Sequence, residues 1–218
     1  MLRLWRWYQN CLAIHPVKTQ MISSGVLWGV GDIAAQTITF SMAKKPLQIE
    51  DKERDKKLKI NWKRVAATSL FGFGFIGPAG HFWYEGLDRF LKLRMGMQQN
   101  SVRFVASKVA LDGIIFGPLD LLVFFTYMGF SNGKSVPQIK DDVKRDFIPA
   151  LALEGGIWPI LQIANFRYIP VRYQLLYVNV FCLIDSCFLS WIEQQQDAAW
   201  KHWFKQFLHL DGQKDKGG

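Results

Sequence analysis

The sequence predicts an all-α protein, an integral membrane helical bundle of four to five transmembrane helices with an amphipathic C-terminal helix. Three observations predict it. Half of the 218 residues are hydrophobic and 15% are aromatic, with 9 Trp. Charge is segregated: nearly uncharged stretches of about twenty residues, the length that crosses a hydrocarbon layer about 30 Å thick, alternate with short, strongly charged ones. The polar residues left inside the apolar stretches recur at helical spacing.

Five stretches qualify as spans. Residues 21–40 carry one charge, Asp32; 65–84 carry none; 109–130 carry Asp112 and Asp120; 148–166 carry Glu154; and 173–192 carry Asp185. The connection 41–64, with Pro46 and a dense mixture of Lys, Arg, Asp and Glu, is a solvated charged loop that hydrocarbon would not accept. Residues 88–103 and 131–146 read as further polar connections, and no internal repeat is visible. The whole chain, 1–218, is expected to form a single membrane domain.

Both ends have patterns of their own. Trp5, Tyr8 and Leu12 recur at helical spacing beside Arg3 and Arg6, an amphipathic lead-in suited to the headgroup level. The segment lacks the Ser-rich composition and cleavage site of a targeting sequence, and the final KDKGG is no peroxisomal tripeptide. In the tail 193–218, Trp200, Trp203, Phe204, Phe207 and Leu208 fall on one helical face with Lys201 and Lys205 on another, which suits an interfacial anchor or a partner-binding helix.

The net charge of +9 resides in connections and tails, where membrane proteins gather Lys and Arg, so the expected partner is a lipid bilayer and not nucleic acid. Along a five-span path, nine basic residues fall on the side of the N-terminus and seventeen on the other, which favours the second as cytosolic or matrix-facing. Cys11, Cys182 and Cys187 make no disulfide framework and read as small buried hydrophobes.

Ionisable groups inside hydrocarbon cost about 2.5–3.5 kcal/mol each on insertion scales and call for an account. The candidates are Asp32, Lys108, Asp112, Asp120, Glu154 and Asp185. Lys108 and Asp112 are spaced to pair along one helix, Asp32 and Gln36 share a face, and Glu154, Trp158, Gln162 and Asn165 form one stripe. Two readings stay open: buried polar groups that bond helices to one another, or the lining of a water-filled path for small solutes. Gly25/Gly29 and Gly113/Gly117 have the spacing of close helix packing, and Pro78, Pro118 and Pro159 are expected to bend their helices.

Signals for enzyme chemistry are thin. His15, His81, His202 and His209 make no metal-ligand spacing, so neither metal nor cofactor is expected, and no nucleophile stands beside a base. Gly29-Val30-Gly31-Asp32 and Pro149-Ala150-Leu151 match signatures of GxGD-type intramembrane aspartyl proteases, a remote alternative in which Asp32 and Asp112 would form the dyad. The expected preceding catalytic Asp is missing, since no acid lies upstream of Asp32.

From about Trp5 to Trp191 the chain resembles the Mpv17/PMP22 family of peroxisomal and mitochondrial membrane proteins. The resemblance rests on Trp5, Tyr8, Pro16, Thr19, Gly31, Asp32 and Gln36; on Trp62, Arg64, Gly72, Gly77, Pro78, His81, Trp83, Tyr84 and Leu87; and on Lys108, Asp112 and Pro118. Its most specific block is Trp158-Pro159-x-x-Gln162-x-x-Asn165-Phe166 with Pro170, Arg172 and Leu189-Ser190-Trp191. The family's Asp-Gln pair is Asp112-Gly113 here, so a possible polar group on the path is missing. The resemblance implies a multi-span protein of the peroxisomal or mitochondrial inner membrane, a channel-like activity for small solutes in some members, and roles in organelle homeostasis, stress and reactive-oxygen metabolism; the leading expectation is a weakly selective channel for small solutes, and the GxxxG-rich surface permits homo-oligomers. A non-conducting structural or interaction protein is the alternative.

Overall fold

Long apolar runs, each opened by a cap or a proline, set the architecture. A computed structural model of the chain describes residues 2–43 and 59–194; most of the charged loop, the amphipathic tail from 195 onward, and the side chains of Glu154 and Asp185 lie outside the described residues. Helix α1 (Leu2–Ile14) is followed after His15 by α2 (Pro16–Ala43), whose first-turn proline is preset for a helix start. Asn61 caps α3 (Trp62–Phe71) by accepting from the Arg64 N–H at 3.1 Å. Helix α3 continues through a wider turn, Gly72–Ile76, into α4 (Gly77–Leu93). Ser101 caps α5 (Val102–Leu111), which passes through a second wide turn, Asp112–Phe116, into α6 (Gly117–Ser131). Helices α7 (Val136–Tyr168) and α8 (Val171–Gln194) complete the set.

The two wide turns have a common cause. Pro78 and Pro118 lack an N–H, and their rings would collide with a carbonyl one turn back. Opening the preceding turn by one residue relieves the clash: the Gly77 N–H donates to the Gly72 carbonyl and the Gly117 N–H to the Asp112 carbonyl, both π-type bonds. The expected bends at these prolines are therefore π turns, whereas Pro159 sits inside α7 with no break in the helix. Cap, π turn and Gly-Pro recur at a fixed offset of forty residues, Asn61 matching Ser101 and Gly77-Pro78 matching Gly117-Pro118. The repeat is not visible in the sequence because few side chains recur with it.

Five rods result: α2, 62–93, Val102–Ser131, α7 and α8. Each touches the next and α8 returns onto α2, so the rods form a closed ring, across which α4 also reaches α8. Glycines set the closest approaches. A Cβ on Gly77 would lie 2.5 Å from the Met21 Cα, one on Gly72 2.7 Å from the Ser24 carbonyl oxygen, and one on Gly25 3.0 Å from the Phe73 Cβ. The Gly25/Gly29 spacing thus does pack α2 against the second rod, but Gly113 faces open space and Gly117 meets only its own Asp112 carbonyl. Phe71 anchors the aromatic core, with Trp28, Phe75, Phe124 and Tyr127 rings at 5.2–5.4 Å.

Polar side chains share the interior with the apolar core, and many large apolar ones lie outside. Lys108, Asp112, Gln162, Asn165, Gln174 and Asn179 are buried, while Ile114, Leu119, Ile157, Ile160, Ile163 and Phe82 are exposed on the outer faces. Among the described residues one rod, Val102–Ser131, is by itself both long and apolar enough to cross a membrane. The expectation of four to five spans is therefore met on composition by a single helix, because the other rods carry polar residues at intervals along their length.

Glycine substitutions should separate the packed from the open positions. Gly77→Ala is expected to cost about 2–3 kcal/mol by overpacking against the α2 backbone. Gly113→Ala should stay within about 1 kcal/mol of wild type, since alanine meets no neighbour there and favours the helix. Thermal unfolding in detergent, followed by Trp fluorescence, reads both.

Candidate functional site

Lys108, on the inward face of α5, is 0% exposed. A buried ammonium needs acceptors for its protons and a counter-charge. Asp88 Oδ1 of α4 lies 3.2 Å from its Nζ, and Gln174 Oε1 of α8 accepts at 3.1 Å. The rings of Phe104 and Phe166, 5.5 and 4.7 Å from Nζ, present π faces to the same charge. The second oxygen of Asp88 takes Lys92 at 2.6 Å.

From there the polar groups run on without interruption. Asn165 donates to the Gln174 carbonyl at 3.4 Å and to Gln162 Oε1 at 2.8 Å. Gln162 Nε2 donates to Asp112 Oδ2 at 2.6 Å and to the Tyr84 hydroxyl at 3.2 Å, and Trp83 Nε1 donates to Asp112 Oδ1 at 2.8 Å. One file of side chains from α4, α5, the second π turn, α7 and α8 thus occupies the centre of the bundle. Between Trp83 and Lys92 it covers about 13 Å of helix, and Asp120 lies about 12 Å further along the third rod from Asp112. Asp120 Oδ1 is shut off from solvent with no hydrogen-bond partner. At the other end the file reaches an open cleft of about 360 Å³ lined by Glu85, Asp88, Arg89, Pro170, Val171 and Arg172.

Asp32 and Gln36 belong elsewhere. Asp32 Oδ1 pairs with Arg64 Nε at 2.8 Å and Oδ2 accepts from Gln36 at 2.7 Å; Gln36 Oε1 in turn accepts from the Asn61 N–H at 2.7 Å. This clamp ties the end of α2 to the start of α3. A third cluster joins α2 to α8: Trp28 donates to Asn179 at 3.2 Å and Asn179 to Ser24 at 2.7 Å, beside a cavity of about 30 Å³ with room for a water molecule.

Several expectations change. Lys108 and Asp112 share a rod but do not pair: Lys108 turns to Asp88 of α4 and Gln174 of α8, Asp112 to Trp83 of α4 and Gln162 of α7, consistent with the weaker order of a Lys preceding its acid. The four carboxylate oxygens of Asp32 and Asp112 are held by four different donors in separate clusters, so these two do not form a proton-sharing dyad and the protease alternative loses the pair it named. Gly113 is exposed, so a Gln there would not line the interior. Of the Trp158 stripe, Gln162 and Asn165 enter the file while Trp158 remains half-buried beside it. Asp88, placed by the sequence in a connection, is buried inside α4, because the helix runs on to Leu93 through its charged last turns. Gln174 was missed as well; its position two residues after Arg172, at the start of a rod, was the available signal.

Removing one partner from the file should be costly. Lys108→Met is expected to destabilise by about 3 kcal/mol, the low end for breaking a buried pair, because Lys92 still compensates Asp88. Asp112→Asn should cost about 1–2 kcal/mol, since an amide offers a single acceptor oxygen to the two donors Trp83 and Gln162. Denaturant titration of the purified protein in detergent tests both.

Comparison with known proteins places the chain. The family model described as Mpv17 / PMP22 family matches residues 129–190. The chain is 35% identical to the mitochondrial inner membrane protein Mpv17 of Xenopus laevis over 192 residues, 88% of this chain and 97% of that protein. It is 34% identical to the human protein of that name over 190 residues, covering 87% and 97%, and 32% identical to PXMP2/4 family protein 2 of Dictyostelium discoideum over 199 residues, covering 90% and 94%. No solved structure matches. With similarity of this extent along nearly its whole length, the chain belongs to the Mpv17 / PMP22 family and is a protein of an organelle membrane.

Proposed function

We propose that the five rods form a single membrane domain spanning the mitochondrial inner or the peroxisomal membrane, and that the bundle gives small solutes a weakly selective path without catalysing a reaction. The rods support this by length: α2 has 28 residues, α7 33 and α8 24, all longer than the twenty or so that hydrocarbon requires. Apolar outer faces and a polar centre are the arrangement a lipid solvent selects.

The observation that carries the reading is the file itself. From Lys108, beside the cleft, to Asp120 the third rod covers about 18 Å, more than half of the hydrocarbon thickness; the hydrogen-bonded file takes up the part as far as Asp112, and beyond it Asp120 holds a buried carboxylate oxygen with no hydrogen-bond partner. An acceptor left so is costly unless water or a cation reaches it. The second reading, a non-conducting structural protein, draws on the fact that the other members of the file are hydrogen-bonded to one another.

Asp120→Asn distinguishes the two, because it removes a charge without breaking a hydrogen bond to that oxygen. Purified protein in a planar bilayer should conduct in discrete steps, and the substitution should lower the preference for cations in the reversal potential under a salt gradient. A folded wild type that stays silent across voltage would favour the structural reading.

A further inference from the structure

We infer that the open cleft between α4 and the start of α8 binds the phosphate group of an anionic ligand, with Arg172 as its principal donor. This goes beyond the conduction proposed above and stands on the cleft alone. The end of the bundle that holds the cleft brings together α1, the starts of α2, α5 and α8, and the ends of α4 and α7. In these segments nine Lys and Arg residues face two acids, Glu85 and Asp88.

Both acids line the cleft, and both are already engaged. Asp88 is held by Lys92 at 2.6 Å and Lys108 at 3.2 Å. Glu85 is held by Arg89 at 3.4 Å and has His81 Nε2 at 3.8 Å. Counting the lysines behind Asp88, the cleft carries four cations against two carboxylates. Among the described residues no carboxylate lies within ion-pair distance of Arg172. Its guanidinium is exposed yet placed: it lies 4.9 Å over the Tyr173 ring, and its carbonyl accepts from Gln20 at 2.9 Å. A planar guanidinium offers paired N–H groups matched to phosphate oxygens. Val171 and Arg172 also open α8, a 24-residue helix whose first N–H groups point toward the cleft end with the positive pole of the helix.

A phosphate group at this level of the bundle could be that of a soluble phosphorylated solute or of a lipid headgroup. The full chain, purified in an uncharged detergent, is titrated with inorganic phosphate at constant ionic strength, and separately with phosphatidic acid doped into the micelles. Intrinsic Trp fluorescence and the melting temperature are followed. A saturable response to inorganic phosphate identifies a soluble ligand; one to phosphatidic acid alone identifies a headgroup. Arg172→Gln should weaken the response about fivefold or more, as loss of a charged hydrogen-bond donor requires. Arg167→Gln, at the same end but hydrogen-bonded to the Asn100 carbonyl, should leave it unchanged. No saturable response to either probe, or equal affinity in Arg172→Gln and wild type, overturns the site. Should Arg172→Gln fail to fold, Arg89→Gln is read in its place: about a threefold loss is expected, and unchanged affinity overturns the proposal.

Discussion

The structure depends on one charge. An ammonium that water cannot reach must find its counter-charge inside the protein, and the helices that supply it are thereby fixed relative to one another. Lys108 draws Asp88 from the second rod and Gln174 from the fifth, and Phe166 of the fourth closes over it. Four of the five rods meet at this point. In a hydrocarbon surrounding, where helix faces gain little by hiding apolar surface from one another, such a junction has an organising effect that leucine packing lacks.

Close backbone approach performs the complementary task. The second rod lies against α2 through glycines at 25, 72 and 77, where a single added carbon would strike backbone atoms. Polar bonds thus fix the side of the bundle formed by α4, α5, α7 and α8, and glycine contacts fix the side formed by α2 and its neighbours. The Asp32–Gln36–Arg64 clamp adds a third fixed point at the far end of α2.

Much of this was legible in the sequence, and the remainder was hidden for definable reasons. The rods were legible because an uncharged run of hydrocarbon length is a one-dimensional signal. So were Asp32 with Gln36 and Gln162 with Asn165, each a pair set by the spacing of one helix. Partners across helices were not: nothing local tells Lys108 to prefer Asp88, twenty residues away, over Asp112, four away. Asp88 itself was obscured because Glu85, Arg89, Lys92 and Arg94 give its neighbourhood the composition of a loop. Prolines announced distortion without its form, since a kink, a break and a π turn begin from the same missing donor.

The third rod also differs from the others in the order in which the bundle can be assembled. Membrane insertion judges segments largely one at a time, and among the described residues only Val102–Ser131 is long and apolar enough to cross on its own composition. The rods before it leave the ribosome first but are poorer candidates, with Asp32 or several glycines and polar groups to settle. If they span as proposed above, their entry would be completed once the third rod is seated and its Lys108 is available to Asp88. Biogenesis of such a chain would thus proceed outward from its middle, and a substitution that charges the outer face of that rod would reduce the yield of inserted protein before it altered any property of the finished molecule.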